Sequence, residues 1–92
     1  MWGSEVEVER RNRIRLSVAA YAYEIENISI MSDAEFDLLA QTINRSIDTG
    51  HTVLDTFFRT EYSAMTGMWI HQHPELNKVK LTYQRIFKDS KT

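Results

Sequence analysis

The sequence contains no cysteine. That excludes disulfides, thiolate-bound zinc and a cysteine nucleophile, and it fits a reducing compartment. One proline, Pro74, and three glycines, Gly3, Gly50 and Gly67, are the only strong punctuation in 92 residues. Such sparse punctuation favours helices, and three isolated glycines supply no phosphate-cradling loop. No apolar run approaches the roughly 20 residues of a membrane helix. Residues 1–15 are charged rather than apolar, so no secretory signal is expected and the default location is cytoplasmic. Neither sign of charge dominates: 11 Lys and Arg stand against 13 Asp and Glu, a net charge of −2. Over the whole chain that leaves no nucleic-acid footprint. No repeat or Gly/Ser linker divides the chain, and its length suits one domain, 1–92.

What is present is an ordinary globular mixture, 42% hydrophobic and 26% charged, arranged as four helical segments. The first spans residues 5–26. Ser4 is the expected N-cap, Glu5 and Glu7 suit the positive end of the helix dipole, and Ile14, Val18, Tyr21 and Ile25 fall on one face. Arg10, Arg11, Arg13 and Arg15 scatter around this helix as a basic collar, read as solvated and paired with Glu7 and Glu9. The second segment opens on a capping box, Ser32-Asp33-Ala34-Glu35, with Met31 and Phe36 placed as a hydrophobic staple. Phe36, Leu39 and Ile43 line one face, and the helix is expected to end near Asn44 or Arg45. The third follows the turn signal Asp48-Thr49-Gly50. Thr52 and Asp55 suggest another capping box, and Val53, Leu54, Phe57 and Phe58 form a wide stripe that lasts to about Tyr62. Residues 63–72 lack a helical period, and Met68, Trp69 and Ile70 would pin them to the core as a loop or short extended piece. The fourth opens with His73-Pro74-Glu75, proline at the first helical position and His73 as its cap. Leu76, Val79, Tyr83, Ile86 and Phe87 form its stripe. Lys88 and Lys91 suit its C-terminal end, and the tail from Asp89 is expected to fray. The fold expected is all-α: a compact bundle of about four helices, the first two an antiparallel hairpin linked by residues 27–31.

Chemistry is thinly represented. His51, His71 and His73 are the only histidines. His71-Gln72-His73 lacks the neighbouring carboxylate pattern of zinc motifs, so no metal site is expected. No serine sits in a nucleophile-elbow context, and no catalytic residue is assigned. The informative stretch is residues 21–38. A helix bearing Tyr21 and Tyr23 ends, a short link follows, and a capped helix places Asp33 and Asp37 four apart on one face. From spacing alone, Asp33 complements the dipole while Asp37 is solvated or paired with Arg45 or an arginine of the first segment.

These residues resemble the N-terminal Ia subdomain of bacterial NAD-dependent DNA ligases. That family carries a Tyr-x-Tyr helix end, a short link and a Ser/Pro-Asp-Ala-Glu-Tyr-Asp helix start. Here Tyr21-Ala22-Tyr23 and Ser32-Asp33-Ala34-Glu35-Phe36-Asp37 stand in the same order and spacing. Residues 10–45 carry the resemblance as a helix pair, with residues 46–92 as additional helices. His73-Pro74-Glu75-Leu76 matches a further tetrapeptide of the family but comes later, with the third segment inserted before it. The family's pair recognises the nicotinamide mononucleotide half of NAD, so the resemblance implies Tyr23, Asp33 and Asp37 as ligand-facing. Glu24 replaces an aromatic or histidine ring of the family, and Phe36 replaces a tyrosine. The adenylation domain with its lysine nucleophile is absent from these 92 residues, so no ligase activity and no bound cofactor are expected. The chain is similar to small ligase-Ia-like proteins of tailed phages.

The function expected is a non-enzymatic protein-interaction module built on that helix pair, in a phage accessory or host-modulating role. One alternative is a nicotinamide nucleotide-binding module, disfavoured by Glu24 and Phe36. Another is a DNA-binding helical protein using the arginine collar with Lys78, Lys80, Arg85 and Lys88. A homodimer with Trp2 and Trp69 at its interface is a further expectation, since tryptophan is enriched at interfaces.

Overall fold

Residues 4–88 are described by a computed structural model, all-helical among those residues. Trp2, Lys91 and the tail from Asp89 lie outside the described residues. The elements are α1 (Glu5–Glu24), α2 (Asp33–Thr42), α3 (Thr52–Thr60), a 3-10 helix (Met68–Gln72), α4 (Leu76–Tyr83) and a closing π-helical turn (Gln84–Lys88).

α1 starts where the sequence signals it: the Glu7 amide donates to Ser4 Oγ over 3.2 Å. It ends through Asn27, whose φ of 57° is the left-handed cap conformation. The Ile28 amide then donates back to the Ala22 carbonyl over 2.8 Å. The chain is turned into α2, whose capping box forms in both directions between Ser32 and Glu35. α1 and α2 are an antiparallel hairpin. The Asn44 amide, just past α2, donates to Glu9 Oε1 over 3.0 Å near the start of α1. The ring tip of Phe36, in the first turn of α2, lies with Ala20 and Glu24 beside Gly67.

Helix α1 is the axis of the domain, packed by α2, α4 and the 3-10 helix. The face read from its large aliphatic residues needs correction. Val18 and Tyr21 are buried, but Ile14 is 55% exposed and Ile25 lies beyond the helix at the surface. Leu16, Ser17, Ala19, Ala20 and Ala22 are buried instead. Small side chains let three elements approach α1 closely, so the contact stripe is built from residues with weak hydrophobic signals.

In α2, Phe36 and Leu39 pack partly buried against the core and Ile43 is buried; the helix ends at Thr42. In α3, Phe57 and Phe58 are buried while Val53 is exposed. The cap of α3 is His51, whose Nδ1 accepts from the Leu54 amide over 3.3 Å. Asp55 serves no capping box, because its carboxylate is buried elsewhere.

Residues 63–67 are loop and turn, as expected, but 68–72 close into the 3-10 helix instead of an extended piece; Trp69 and Ile70 pin it to the core while Met68 is exposed. Trp69 is 4% exposed and packs its ring among Phe57, Phe58 and Tyr62 at centroid distances of 5.1–6.1 Å. It is therefore a core residue of this chain. α4 begins at Leu76, after His73 Nδ1 has accepted the Glu75 amide over 3.0 Å, so His73 shapes the turn two residues ahead of the helix. Val79 and Tyr83 are buried from α4, Phe87 is partly buried beside Tyr83, and Ile86 is half exposed.

Candidate functional site

Two openings flank α1. The smaller, about 220 Å³, lies where α1 ends and α2 begins. α1 supplies Ala19, Ala20, Tyr23 and Glu24, the connection supplies Ser29, Ile30 and Met31, α2 supplies Asp33, Phe36 and Asp37, and the loop after α3 supplies Met65, Thr66 and Gly67. All three positions singled out by resemblance, Tyr23, Asp33 and Asp37, therefore share one cleft. So do Glu24 and Phe36, the two departures from the family pattern. The left-handed turn at Asn27 and the capping box at Ser32 produce this meeting.

The charge in this cleft has one sign. Glu24, Asp33 and Asp37 line it without any lysine or arginine. The Glu24 carboxylate is largely buried and faces His71 Nε2 at 3.9 Å. Tyr23 is 60% exposed at the mouth and offers one aromatic face. A phosphate brought to within ~4 Å of such a carboxylate meets repulsion of about 4 kcal/mol at an effective dielectric near 20, before salt screening. Among the described residues no three His, Asp or Glu side chains gather closely enough to hold a metal ion.

The larger opening is a groove of about 470 Å³ between α1, the start of α3 and α4. Ile14, Val18, Leu54, Phe58 and Val79 give it apolar walls. At one end Arg10 donates to the Thr49 carbonyl. Across the same end, His51 Nε2 and Lys78 Nζ each lie 3.2 Å from Glu75 Oε2. Burial would raise the Glu75 carboxyl, but these two donors outweigh it and hold it below the usual value.

Behind the groove lies a buried polar network of which spacing revealed only one pair. Arg13 is 5% exposed. Its Nε donates to Glu9 Oε2 over 2.7 Å and its Nη1 to Asp55 Oδ1 over 2.9 Å. Its Nη2 reaches the Asn44 carbonyl over 2.9 Å. The guanidinium also lies over the Phe58 ring, 4.8 Å from its centroid. The Thr49 hydroxyl and amide donate to Asp55 over 2.6 and 3.0 Å. Burial pushes the Asp55 carboxyl upward, yet the bonds from Thr49 and Arg13 prevail and bring it down to about 2. Arg13 is thus no part of a solvated collar, and Asp55 is its buried counter-ion. The one legible signal was the Glu9–Arg13 spacing of four; the pairing with Asp55, 42 positions away, was not legible.

His73 is a further buried titratable group. It packs against the rings of Phe57 and Phe58, 5.2 and 6.3 Å away. Burial lowers its pKa to about 4, against an opposing pull from Glu75. The ring is therefore neutral, with its proton on Nε2, since Nδ1 accepts the Glu75 amide.

Set against known proteins, the chain matches no family model, no curated protein and no solved structure. No helix among the described residues is long and apolar enough to cross a membrane.

Proposed function

We propose that the chain is a non-enzymatic protein-interaction module that seats its partner in the α1–α4 groove and uses the ligase-Ia-like helix pair as scaffold. The observation that carries this is the make-up of the groove. Its lining is largely apolar, its exposed cations Arg10 and Lys78 lie at the surface while Arg13 is buried, and it is twice the size of the acidic cleft. The polar groups near it are already engaged: Asp55 by Arg13 and Thr49, His73 by the Glu75 amide, and His51 by the Leu54 amide and Glu75. What faces outward is surface suited to docking rather than to reaction. A phage accessory or host-modulating role agrees with the resemblance. The test is comparative capture from a bacterial lysate with the immobilised chain. Proteins retained by the wild type should also be retained by Asp33→Ala and lost by Ile14→Arg, which alters a half-exposed groove residue. Capture that ignores Ile14→Arg but fails with Asp33→Ala would move the function to the other cleft.

A second reading, nicotinamide nucleotide binding, is favoured by the convergence of Tyr23, Asp33 and Asp37 on one cleft. Against it stand the three carboxylates and the missing second ring. Calorimetric titration with nicotinamide mononucleotide or NAD should give no saturable signal at millimolar concentration. A dissociation constant below ~50 µM, an affinity of roughly 6 kcal/mol, abolished by Asp33→Ala, would replace the interaction reading with this one. A DNA-binding role would lose one arginine of its collar, since Arg13 is buried and paired with Glu9 and Asp55.

A further inference from the structure

We infer that the cleft between the end of α1 and the start of α2 is a docking pocket for one arginine side chain of a partner protein, its stem on Met31, Phe36 and Met65 and its guanidinium between Tyr23 and the carboxylates of Asp33 and Asp37. The cleft shares no lining residue with the α1–α4 groove, so its occupant is independent of whatever the groove holds. Shape limits that occupant. Ile30, Met31 and Phe36 stand half-buried in the walls over a floor of Ala19 and Ala20. Two large side chains are left in water at the mouth, Met65 at 91% exposed and Tyr23 at 60%. A Cβ on Gly67 would lie 3.5 Å from Phe36 Cζ and 3.6 Å from Glu24 Oε2, so an aromatic edge and a carboxylate converge on one spot. A space of about 220 Å³ admits a long side chain but no helix, which is about 10–12 Å across. One side chain buries too little surface to hold a protein through washing, so the contact is a transient one and capture through the groove does not depend on it.

Charge complementarity selects a cation. Residues 16–44 contain Glu24, Glu26, Asp33, Glu35 and Asp37 and no lysine or arginine. Residues 60–77 contain Glu61 and Glu75 and again no lysine or arginine. Every residue lining the cleft comes from these two stretches. One group works the other way: His71 Nε2 stands 3.9 Å from the Glu24 carboxylate. Even with His71 counted as a full cation, the three lining carboxylates leave the cleft negative. The helix ends cancel, since α1 brings its negative C-terminus and α2 its positive N-terminus to the same place. Arg45, the first cation after α2, directs its donors to the Phe58 and Arg59 carbonyls. Arginine suits the cleft better than lysine. Asp33 and Asp37 are one turn apart, roughly 5–6 Å between Cβ atoms. A planar guanidinium fork can meet carboxylates at that spacing while it stacks on the Tyr23 ring.

The test is a nuclear magnetic resonance titration of the nitrogen-labelled full chain with short peptides, acetylated and amidated at their ends. They are identical except at the central residue, which is arginine, citrulline, lysine or glutamate. Citrulline keeps the shape of arginine without its charge. The arginine peptide should shift the amides of Asp33, Asp37 and Gly67 saturably, and at least about tenfold more tightly than the citrulline peptide. The lysine peptide should bind more weakly than the arginine peptide, and the glutamate peptide should not bind. Added salt should weaken the arginine complex. Asp37→Asn and Tyr23→Ala, both at exposed positions, should each weaken it by about fivefold or more without moving the melting temperature. Ile14→Arg, in the groove, should leave it unchanged, so this pocket and the groove fail separately. Equal binding of the arginine and citrulline peptides would overturn the pocket, as would shifts spread over the acidic surface without saturation. Shifts of the same amides with protein concentration alone would make a second copy of the chain the occupant and overturn the assignment to a partner.

Discussion

A guanidinium held between two carboxylates in the interior is stable only while all three charges keep their partners. Removing Arg13 would strand Glu9 and Asp55, both buried, without their guanidinium partner. Breaking such a pair from one side typically costs about 3–5 kcal/mol. For a domain of this size, 1 kcal/mol moves the melting temperature by roughly 4–8 °C. Arg13→Leu should therefore lower the melting temperature by well over ten degrees, followed by circular dichroism. Arg11→Leu and Arg15→Leu, both at exposed positions, should stay within about 0.5 kcal/mol of the wild type. Equal effects from the three substitutions would show that Arg13 is solvated after all. Gly50 bears on the same network through its neighbour. It has φ of 86° and follows Thr49, whose amide and hydroxyl hold Asp55. Gly50→Ala should destabilise by about 1–2 kcal/mol, because a Cβ is strained in the left-handed region. An unchanged urea midpoint would count against that backbone conformation.

At the scale of elements, two histidines make turns. His51 and His73 each present Nδ1 to a backbone amide, one capping α3 and one bending the chain ahead of α4. For His73 the pH consequence is definite. Its folded pKa, about 4, lies below the ordinary 6.5, so the unfolded chain takes up a proton first as pH falls. Its contribution is complete above pH 6.5 and is lost progressively down to pH 4. By pH 4.5 that amounts to on the order of 2 kcal/mol. Asp55, with its lowered value, protests acidification only below its ordinary 3.8, so the two windows separate. Urea midpoints measured at pH 7 and pH 4.5 should fall for the wild type and much less for His73→Asn, which keeps a short acceptor. A wild-type midpoint flat over that range would mean that His73 is not buried.

The same elements show what spacing can and cannot carry. Ser4, the Ser32–Glu35 box and the stripes of Phe57–Phe58 and Val79–Tyr83 are local signals, and the structure uses each as written. Spacing put Asp33 and Asp37 on one helix face; that Tyr23 joins them in one cleft was implied only by the resemblance. The burial of Ala19, Ala20 and Ala22 was not legible, because alanine's weak signal is shared by buried and exposed helix faces. Nor was the Arg13–Asp55 pair or the α1–α4 groove, since both depend on contacts between distant parts of the chain.

Those long-range contacts decide what the folding unit is. Residues 10–45 bury their apolar face against the rest of the chain. Tyr21 packs on Tyr83 at 5.4 Å, and Arg13 needs Asp55. Tyr62 donates to the Ala40 carbonyl over 2.6 Å, tying the end of α3 to α2. The rings of Phe57, Phe58, Tyr62, Trp69 and His73 then join α3 to the 3-10 helix and to the turn before α4. Cutting the chain near residue 48 would expose Leu16, Ala20 and Ile43 and leave Arg13 without one counter-ion. α2, with 10 residues, is too short to persist alone in water, where isolated helices below about 12–15 residues are marginal. A fragment of residues 1–48 should therefore give a coil-like circular dichroism spectrum. The full chain should unfold in one transition, with Trp69 fluorescence, isolated in a Trp2→Phe background, coinciding with ellipticity. A stably helical 1–48 fragment, or two separated transitions, would show the helix pair to be an autonomous unit with residues 46–92 as an appendage.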